Sequence, residues 1–433
     1  LSEAIMYDFI GIGIGPFNLS LAALTEDMSD LNGIFFDQSE TFQWHPGLLI
    51  EGTDLQVPFI ADLVSFADPT NRFSYLNYLH INKRLNHFYF LNKMSVPRKE
   101  YNDYLQWVAS QITQLHFGKE VIDVIDENNH YKVIVRDIST QIDEEYLAKH
   151  IVMATGGTPL ILDNMANYPQ EDILHASNYL YKKEKIIDAD HITIVGSGQS
   201  AAEIFHDLLD ERKNKEFHLS WITRSEGIFQ LESAKLGQEF FSLDYVDYFH
   251  HLPIEKRKDA LNTLGPLRNG VDYDTLIGIY KLLYHYSIGG EDPQIFIQPL
   301  TEVKSLEETT DGYFLECHQW QAEKSFQLKT EKVIFATGYK PNIPDWFEKR
   351  FHGKIEWEDK HLFKVSRNYA LSFKDQRKHR FYVATNLEHS HGTAATNLGL
   401  AVQRNMEIIN DLTNEQRFDL SGSFIFQNFI PSN

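Results

Sequence analysis

The 433-residue chain is well beyond the length at which one hydrophobic core stops growing, so two or three domains are expected. Apolar residues make up 42% and charged residues 23%, enough to fold, and the net charge of −21 opposes binding to nucleic acid or an anionic membrane surface. A single cysteine, Cys317, excludes an internal disulfide framework, a cysteine-rich zinc site and a CxxC redox pair, and no metal centre is expected.

In chain order, the N-terminus carries neither a basic flank nor a cleavage site, and no later apolar run is long enough to span a membrane, so a soluble, cytoplasmic protein is expected. The apolar run Tyr7–Ile10 enters a glycine turn and then a Leu/Ala-rich stretch, the pattern of strand, turn and helix. The best register is Gly13-x-Gly15-x-x-Asn18, with Pro16 at the helix start, where proline is tolerated. Gly13 permits the tight turn, and Gly15 lets backbone approach a pyrophosphate at the positive helix end. Asn18 stands where a third glycine is usual. Asp37 closes the run Gly33–Phe36, about twenty residues on, where an acid accepts from ribose hydroxyls.

Residues 123–137 alternate in period two and predict an antiparallel hairpin, which runs into the sequence HIVMATGGTP, residues 150–159. A second strand–turn–helix unit spans 191–209, with the cradle Gly196-Ser197-Gly198-Gln199-Ser200-Ala201. The strand expected at 217–222 ends at Arg224, where a ribose-binding acid would stand in an NAD site; a guanidinium suits the 2′-phosphate of NADP. A second hairpin pattern follows residue 311 and runs into KVIFATGYKP, residues 332–341. This order predicts an α/β chain with two Rossmann-like dinucleotide domains, one nested in the other. The FAD-binding domain would take 1–165 and 331–433; the NADPH-binding domain, with substrate-binding elements, 166–330. Small antiparallel β segments and a helical substrate region complete the expectation.

A first cradle typed for ribose hydroxyls and a second for a 2′-phosphate imply FAD and NADPH, hence a flavin-dependent oxidoreductase. The single cysteine removes disulfide reduction. Oxygen activation and electron transfer to a partner remain open at this point.

The sequence resembles the microbial lysine and ornithine N-monooxygenases of hydroxamate siderophore biosynthesis along nearly its whole length. The resemblance rests on GIGPFNLSLAAL, on Phe42-Gln43-Trp44-His45-Pro46-Gly47, on LQVPFIADLVSFADPTNRFSYLNYL and on Pro97-Arg98-Lys99-Glu100-Tyr101. The second cradle, the ATGY segment with Thr337 and Gly338, and His391-Gly392 before Asn397-Leu398-Gly399-Leu400 complete it. It implies NADPH reduction of FAD, a flavin 4a-hydroperoxide formed with O2, and hydroxyl transfer to a primary amine. It further implies cofactor contacts from Trp44, His45, Gln56, Gly196, Gly198, Gln199, Ser200, Thr337 and Gly338. Gln56 would lie beside the flavin ring, and Asn269 would position the amine; His45 reads more as an anchor of its turn than as a catalyst. Trp44 and Phe59 would exclude water or simply fill the core. Family members are commonly homo-oligomers, so a dimer or tetramer is expected.

One departure speaks to substrate. The amino-acid hydroxylases of the family carry a lysine, paired with the substrate α-carboxylate, where this chain has Ala61. Their assisting asparagine corresponds to Gln238. A lysine there would repel a substrate with a second ammonium by about 4 kcal/mol at ~4 Å, and alanine removes that clash. The expected substrate is therefore a diamine, putrescine before cadaverine; histamine, which also lacks a carboxylate, is an alternative, and lysine is another should Arg98 or Lys235 replace the missing cation. A broad flavin monooxygenase is a further alternative, for which His175 and Tyr179 keep half of the usual fingerprint. The last alternative is an electron-transfer flavoprotein.

Overall fold

Each glycine turn opens from a strand with parallel neighbours on both sides in its own sheet. The structure is a computed structural model describing residues 5–162, 165, 167–290 and 293–431. In the first sheet the strand Met6–Ile12 lies between Gly33–Phe36 and Asp143–Met153, all parallel. Phe9 and Ile10 are fully buried, as a strand covered on both faces requires. The predicted hairpin forms as Lys119–Glu127 and His130–Asp137 and extends this sheet antiparallel, while Phe381–Val383 joins it parallel to Asp143–Met153. The second sheet is wholly parallel, ordered Ile173–His175, Lys332–Phe335, His191–Val195, His218–Ile222, Ile295–Gln298. A three-stranded antiparallel sheet, Thr301–Thr309, Gly312–Gln319 and Lys324–Thr330, is inserted between its strands Ile295–Gln298 and Lys332–Phe335.

The near-repeat of ATG has a structural cause. Ala154 N–H donates to Ile12 O at 2.9 Å and Ala336 N–H to Val195 O at 2.8 Å, so each ATG segment lies against one glycine turn. A Cβ on Gly13 (φ +85°) would stand 2.6 Å from Ala154 O, and one on Gly196 (φ +144°) 2.3 Å from Ala336 O. Only glycine fits both the positive φ and the approach. At the third position of the first cradle, buried Asn18 replaces glycine by bonding: its amide donates to Gly13 O at 2.8 Å and reaches Val152 O at 3.3 Å. The departure from the usual spacing thus ties the turn to the neighbouring strand.

Two expected boundaries move. Lys332–Phe335 is a strand of the second sheet, so the chain leaves that domain after Phe335 and not at 331. The two crossings pair with one another, Gly157–Pro159 antiparallel to Tyr339–Pro341. The helices Leu243–His250 and Ile254–Thr263, expected with the second domain, are bonded to the first. His250 Nε2 lies 2.9 Å from Val365 O, Arg257 donates to His389 O at 2.8 Å, and Arg257 pairs with Glu358 at 2.8 Å. Leu243 and Val246 complete a small apolar cluster with Ala394 and Leu400. Among the described residues no helix is long and apolar enough to cross a membrane.

Cys317 sits on the buried face of the antiparallel sheet, 1% exposed, and burial pushes its thiol up to about 12. The folded protein is therefore expected not to react with a thiol reagent at pH 8 until denatured. Cys317→Ser should keep activity while lowering stability by roughly 1–3 kcal/mol, the cost of an unpartnered buried hydroxyl; rapid thiol titration of native protein would contradict this placement.

Candidate active site

The first cradle forms as expected. Gly15 caps the helix Pro16–Thr25, and Asp37 folds back on the turn: Ile14 N–H donates to its Oδ2 at 2.7 Å and Ser39 N–H to its Oδ1 at 2.8 Å. Gly13 and Asp37 share a cavity of about 900 Å³. A Cβ on Gly15 would project into open space, the space a phosphate would take. Next to this turn lies Arg404, 1% exposed, its guanidinium 4.2 Å over the Phe17 ring and its Nε and Nη2 without partners. Burial pulls Arg404 down to about 10. The glycine turn at the helix N-terminus, the open space at Gly15 and the acid at Asp37 fit the diphosphate and ribose of FAD.

The second cradle repeats the plan. Gly198 caps Gln199–Glu211, and its Cβ direction is likewise open. Trp221 Nε1 donates to Gly196 O at 2.7 Å, and the Ser197 and Ser225 hydroxyls meet at 2.8 Å, drawing the end of the second strand against the turn. Arg224, just past that strand, is exposed beside the cradle. The residues fit a dinucleotide with a 2′-phosphate.

Between the cradles lies a cavity of about 980 Å³, at the upper end for small-molecule sites. The first domain contributes Trp44, His45, Gln56 and Ala61; the second, Gln199 and Ser200; the helical segment between them, Gln238 and Phe241. Four consecutive residues, Asn397–Leu400, bring in the N-terminus of the sixteen-residue helix Leu398–Thr413, capped by the Asn397 side chain. The helix dipole makes that end of the cavity receptive to negative charge.

Local structure fixes several of these side chains. His45 takes a left-handed φ of 48°, with its ring between Trp44 (5.2 Å) and Tyr339 (5.6 Å), an anchoring arrangement. The ring opens onto the cavity, yet the surrounding protein and Arg98 hold its pKa down at about 4, so it is neutral at working pH. Ala61 is 5% exposed. Its segment is shaped by buried Asp62, which accepts from the backbone of Val64, Ser65 and Tyr75. Phe59 packs against Phe88 and Tyr75 and belongs to the core, whereas Trp44 lines the cavity.

The remaining expected site residues divide. Gln56 and Gln238 line the cavity. Asn269 is exposed on the turn between two lining residues, Arg268 and Gly270, without lining the cavity itself. Thr337 and Gly338 lie in the crossing between domains, where the Thr337 hydroxyl donates to Leu160 O and Gly338 O accepts from Leu160 N–H at 3.0 Å. Gln199 faces the cavity with its amide engaged: it donates to Glu203 (2.9 Å) and Asp272 (2.6 Å) and accepts from Asp272 N–H (2.8 Å).

The electrostatics turn on two arginines. Arg98 lines the cavity but grips Glu203 through two 2.8 Å hydrogen bonds. Arg268 lines it too and pairs with Glu388 at 2.6 Å. Lys235 does not line it. Neither candidate for replacing the missing lysine is thus offered free to a substrate carboxylate. Glu203 is 1% exposed; burial pushes its carboxyl up while Arg98 and Gln199 pull it back. Sequence reasoning missed this pair and Asp62, and also Phe424 and Ile425, which line the cavity from the C-terminal segment. The apolar run Phe424–Phe426 after a polar stretch was the available signal. Glu203→Ala, which strands Arg98, should cost about 3–5 kcal/mol in denaturant unfolding; a loss below 1 kcal/mol would mean the pair contributes little.

Residues 5–341 match the family described as L-lysine 6-monooxygenase/L-ornithine 5-monooxygenase. A putrescine N-hydroxylase of Shewanella oneidensis is 38% identical over 434 residues, spanning 99% of this chain and 85% of that protein. The FAD-bound cadaverine monooxygenase DfoA of Erwinia amylovora, from a desferrioxamine pathway, has a TM-score of 0.94 at 35% identity over 99% of both chains. The ornithine N-hydroxylase KtzI of Kutzneria sp. 744, solved with reduced FAD, NADP+ and L-ornithine, has a TM-score of 0.88 at 25% identity, covering 95% of this chain and 99% of that one. With both cradles and the cavity between them in place, the chain belongs to the L-lysine 6-monooxygenase/L-ornithine 5-monooxygenase family of flavin-dependent amine N-hydroxylases.

Proposed function

We propose that this enzyme uses FAD, NADPH and O2 to hydroxylate one primary amine of an aliphatic diamine, putrescine before cadaverine, for hydroxamate siderophore biosynthesis. The observation that carries the substrate is the charge of the cavity. Alanine stands at position 61, and both lining arginines are held by carboxylates of the protein. Among the described residues that line the cavity, an amino acid's carboxylate would find no unpaired cation, whereas a diamine brings no carboxylate. The putrescine and cadaverine enzymes among the relatives support the same reading.

Bound FAD supplies the two-electron chemistry that activates O2. The protein's part is to hold, orient and desolvate the amine, which must react uncharged although a free alkylammonium has a pKa near ~10.4. Neutral His45 adds no charge to the cavity, and Trp44 contributes an apolar wall that excludes water. Gln56, which lines the cavity, is assigned an orienting hydrogen bond, and Asn269, on the turn beside the lining, is not assigned one; an uncharged amide both accepts and donates without adding a counter-charge that would hold the amine as ammonium. Gln238 is assigned to the substrate side.

The first domain is assigned to FAD, through Gly13, Gly15, Pro16 and Asp37, and the second to NADPH, through Gly196, Gly198, Ser200 and Arg224. The enzyme's place is the cytoplasm, where NADPH is regenerated. A homo-oligomer, dimer or tetramer, is favoured by the apolar surface of the helices Tyr75–Ile81 and Leu85–Leu91, which expose Ile81, Leu85, Tyr89 and Phe90.

Hydroxylamine formation measured over putrescine, cadaverine, histamine, lysine and ornithine tests the substrate; a preference for lysine or ornithine would overturn it. Ala61→Lys should lower diamine kcat/KM at least tenfold, roughly 1.4 kcal/mol, with little effect on amine-free NADPH oxidation. For the reductant, Arg224→Ala should raise the KM for NADPH about 10–150-fold, the loss of a charge-assisted contact of roughly 1.5–3 kcal/mol, and leave NADH almost unchanged. Equal effects on the two nucleotides would reject its role.

A further inference from the structure

The C-terminal segment after the helix Leu398–Thr413 returns over the molecule and ends on the cavity wall. Its backbone is held by two acids of the helical segment. Phe424 N–H donates to Asp244 Oδ2 at 3.2 Å, and Phe426 and Gln427 N–H donate to the two oxygens of Glu239 at 3.1 and 3.0 Å. The Gln427 amide donates to Leu236 O at 2.6 Å. Beyond these bonds the Phe429 ring sits among Phe240 (5.1 Å), Tyr245 (4.9 Å) and Tyr248 (5.9 Å). The same helical segment supplies Gln238, Phe241 and Ser242 to the cavity, so strap and segment form one wall.

The strap's own contribution to that wall is apolar. Phe424 and Ile425 line the cavity, and Phe424 remains 51% exposed. Phe424 is thus held at its backbone while about half of its surface stays uncovered. Glu239 and Asp244 receive the strap's N–H groups, so the acids nearest this wall are occupied in holding it. What the strap offers a ligand is hydrocarbon surface.

We propose that Phe424 and Ile425 determine specificity for the length of the amine's carbon chain, packing on its methylenes and closing this side of the cavity to water. Each methylene buried against such a surface changes affinity roughly fourfold. The strap thereby sets which amine fits and how much of the activated oxygen is captured rather than lost as peroxide. The inference rests on the proposed diamine reading and names the residues that measure the chain.

The test compares kcat/KM for putrescine, cadaverine and 1,6-diaminohexane in the wild type, Phe424→Ala and Ile425→Ala, together with hydroxylamine formed per NADPH consumed. Flavin content and circular dichroism report the fold. At least one variant should shift preference toward the longer diamines by about fivefold or more and raise the KM for putrescine. It should also lower the hydroxylamine yield per NADPH. Glu239→Ala, which frees two strap N–H groups without touching either apolar side chain, should move both readouts the same way. An unchanged length preference in both alanine variants overturns the proposal. A wild type that favours amino acids overturns the diamine reading instead, and the strap is then read from the same variants on lysine against ornithine, which differ by one methylene.

Discussion

Arg98 reaches from the helix Arg98–Ala109 of the first domain to Glu203, on the helix behind the second glycine turn, and the central cavity lies where the domains are held at that separation. The pair is nearly dry, with side-chain exposures of 12% and 1%, so neither charge is stable without the other. Gln199 extends the contact to Asp272, which caps the helix Tyr273–Tyr286. One ionic contact therefore places the second cradle, a lining helix and the wall carrying Trp44 relative to one another. It also occupies a guanidinium that would otherwise be the cavity's own anion receptor.

That last effect joins architecture to specificity. In a site without Lys at position 61, a free arginine would restore the affinity for a carboxylate. Here the two lining arginines satisfy Glu203 and Glu388. The positive end of the helix Leu398–Thr413 remains as the diffuse source of positive potential, suited to a developing oxyanion and too weak to hold a carboxylate alone. On the proposed reading, the positive helix end and the paired arginines leave the cavity without a dedicated carboxylate receptor.

The chain's duplicated features share one cause. Two glycine turns need two neighbours whose carbonyls approach without a side chain between, and the ATG segments supply Ala154 and Ala336. The crossings that follow pair with each other, which explains why both ATG motifs run directly into a domain change. The return falls after Phe335 and not at 331 because a strand of four residues, Lys332–Phe335, reads alike in either sheet; its partners Ile173–His175 and Ile192–Val195 assign it. The helices Leu243–Thr263 were misassigned for a similar reason. Their apolar faces are visible in sequence, but the surface they cover is not.

What the sequence by itself determined is what backbone geometry and charge type fix locally: the turns at Gly13 and Gly196, helix starts at Pro16 and Gln199, the acid at 37 and the guanidinium at 224; the alanine at 61 gains its meaning only beside the lysine of the family it resembles. These depend on residues within a turn or one strand of each other, or on a single side chain's chemistry. Only the tertiary structure decided that Arg98 is spent on Glu203, 105 residues away, that Asn269 sits beside the cavity lining, and that Phe424 and Ile425 close a wall begun at Gln238. Such contacts arise when distant segments bury charge or hydrocarbon together, and no local pattern records the partner.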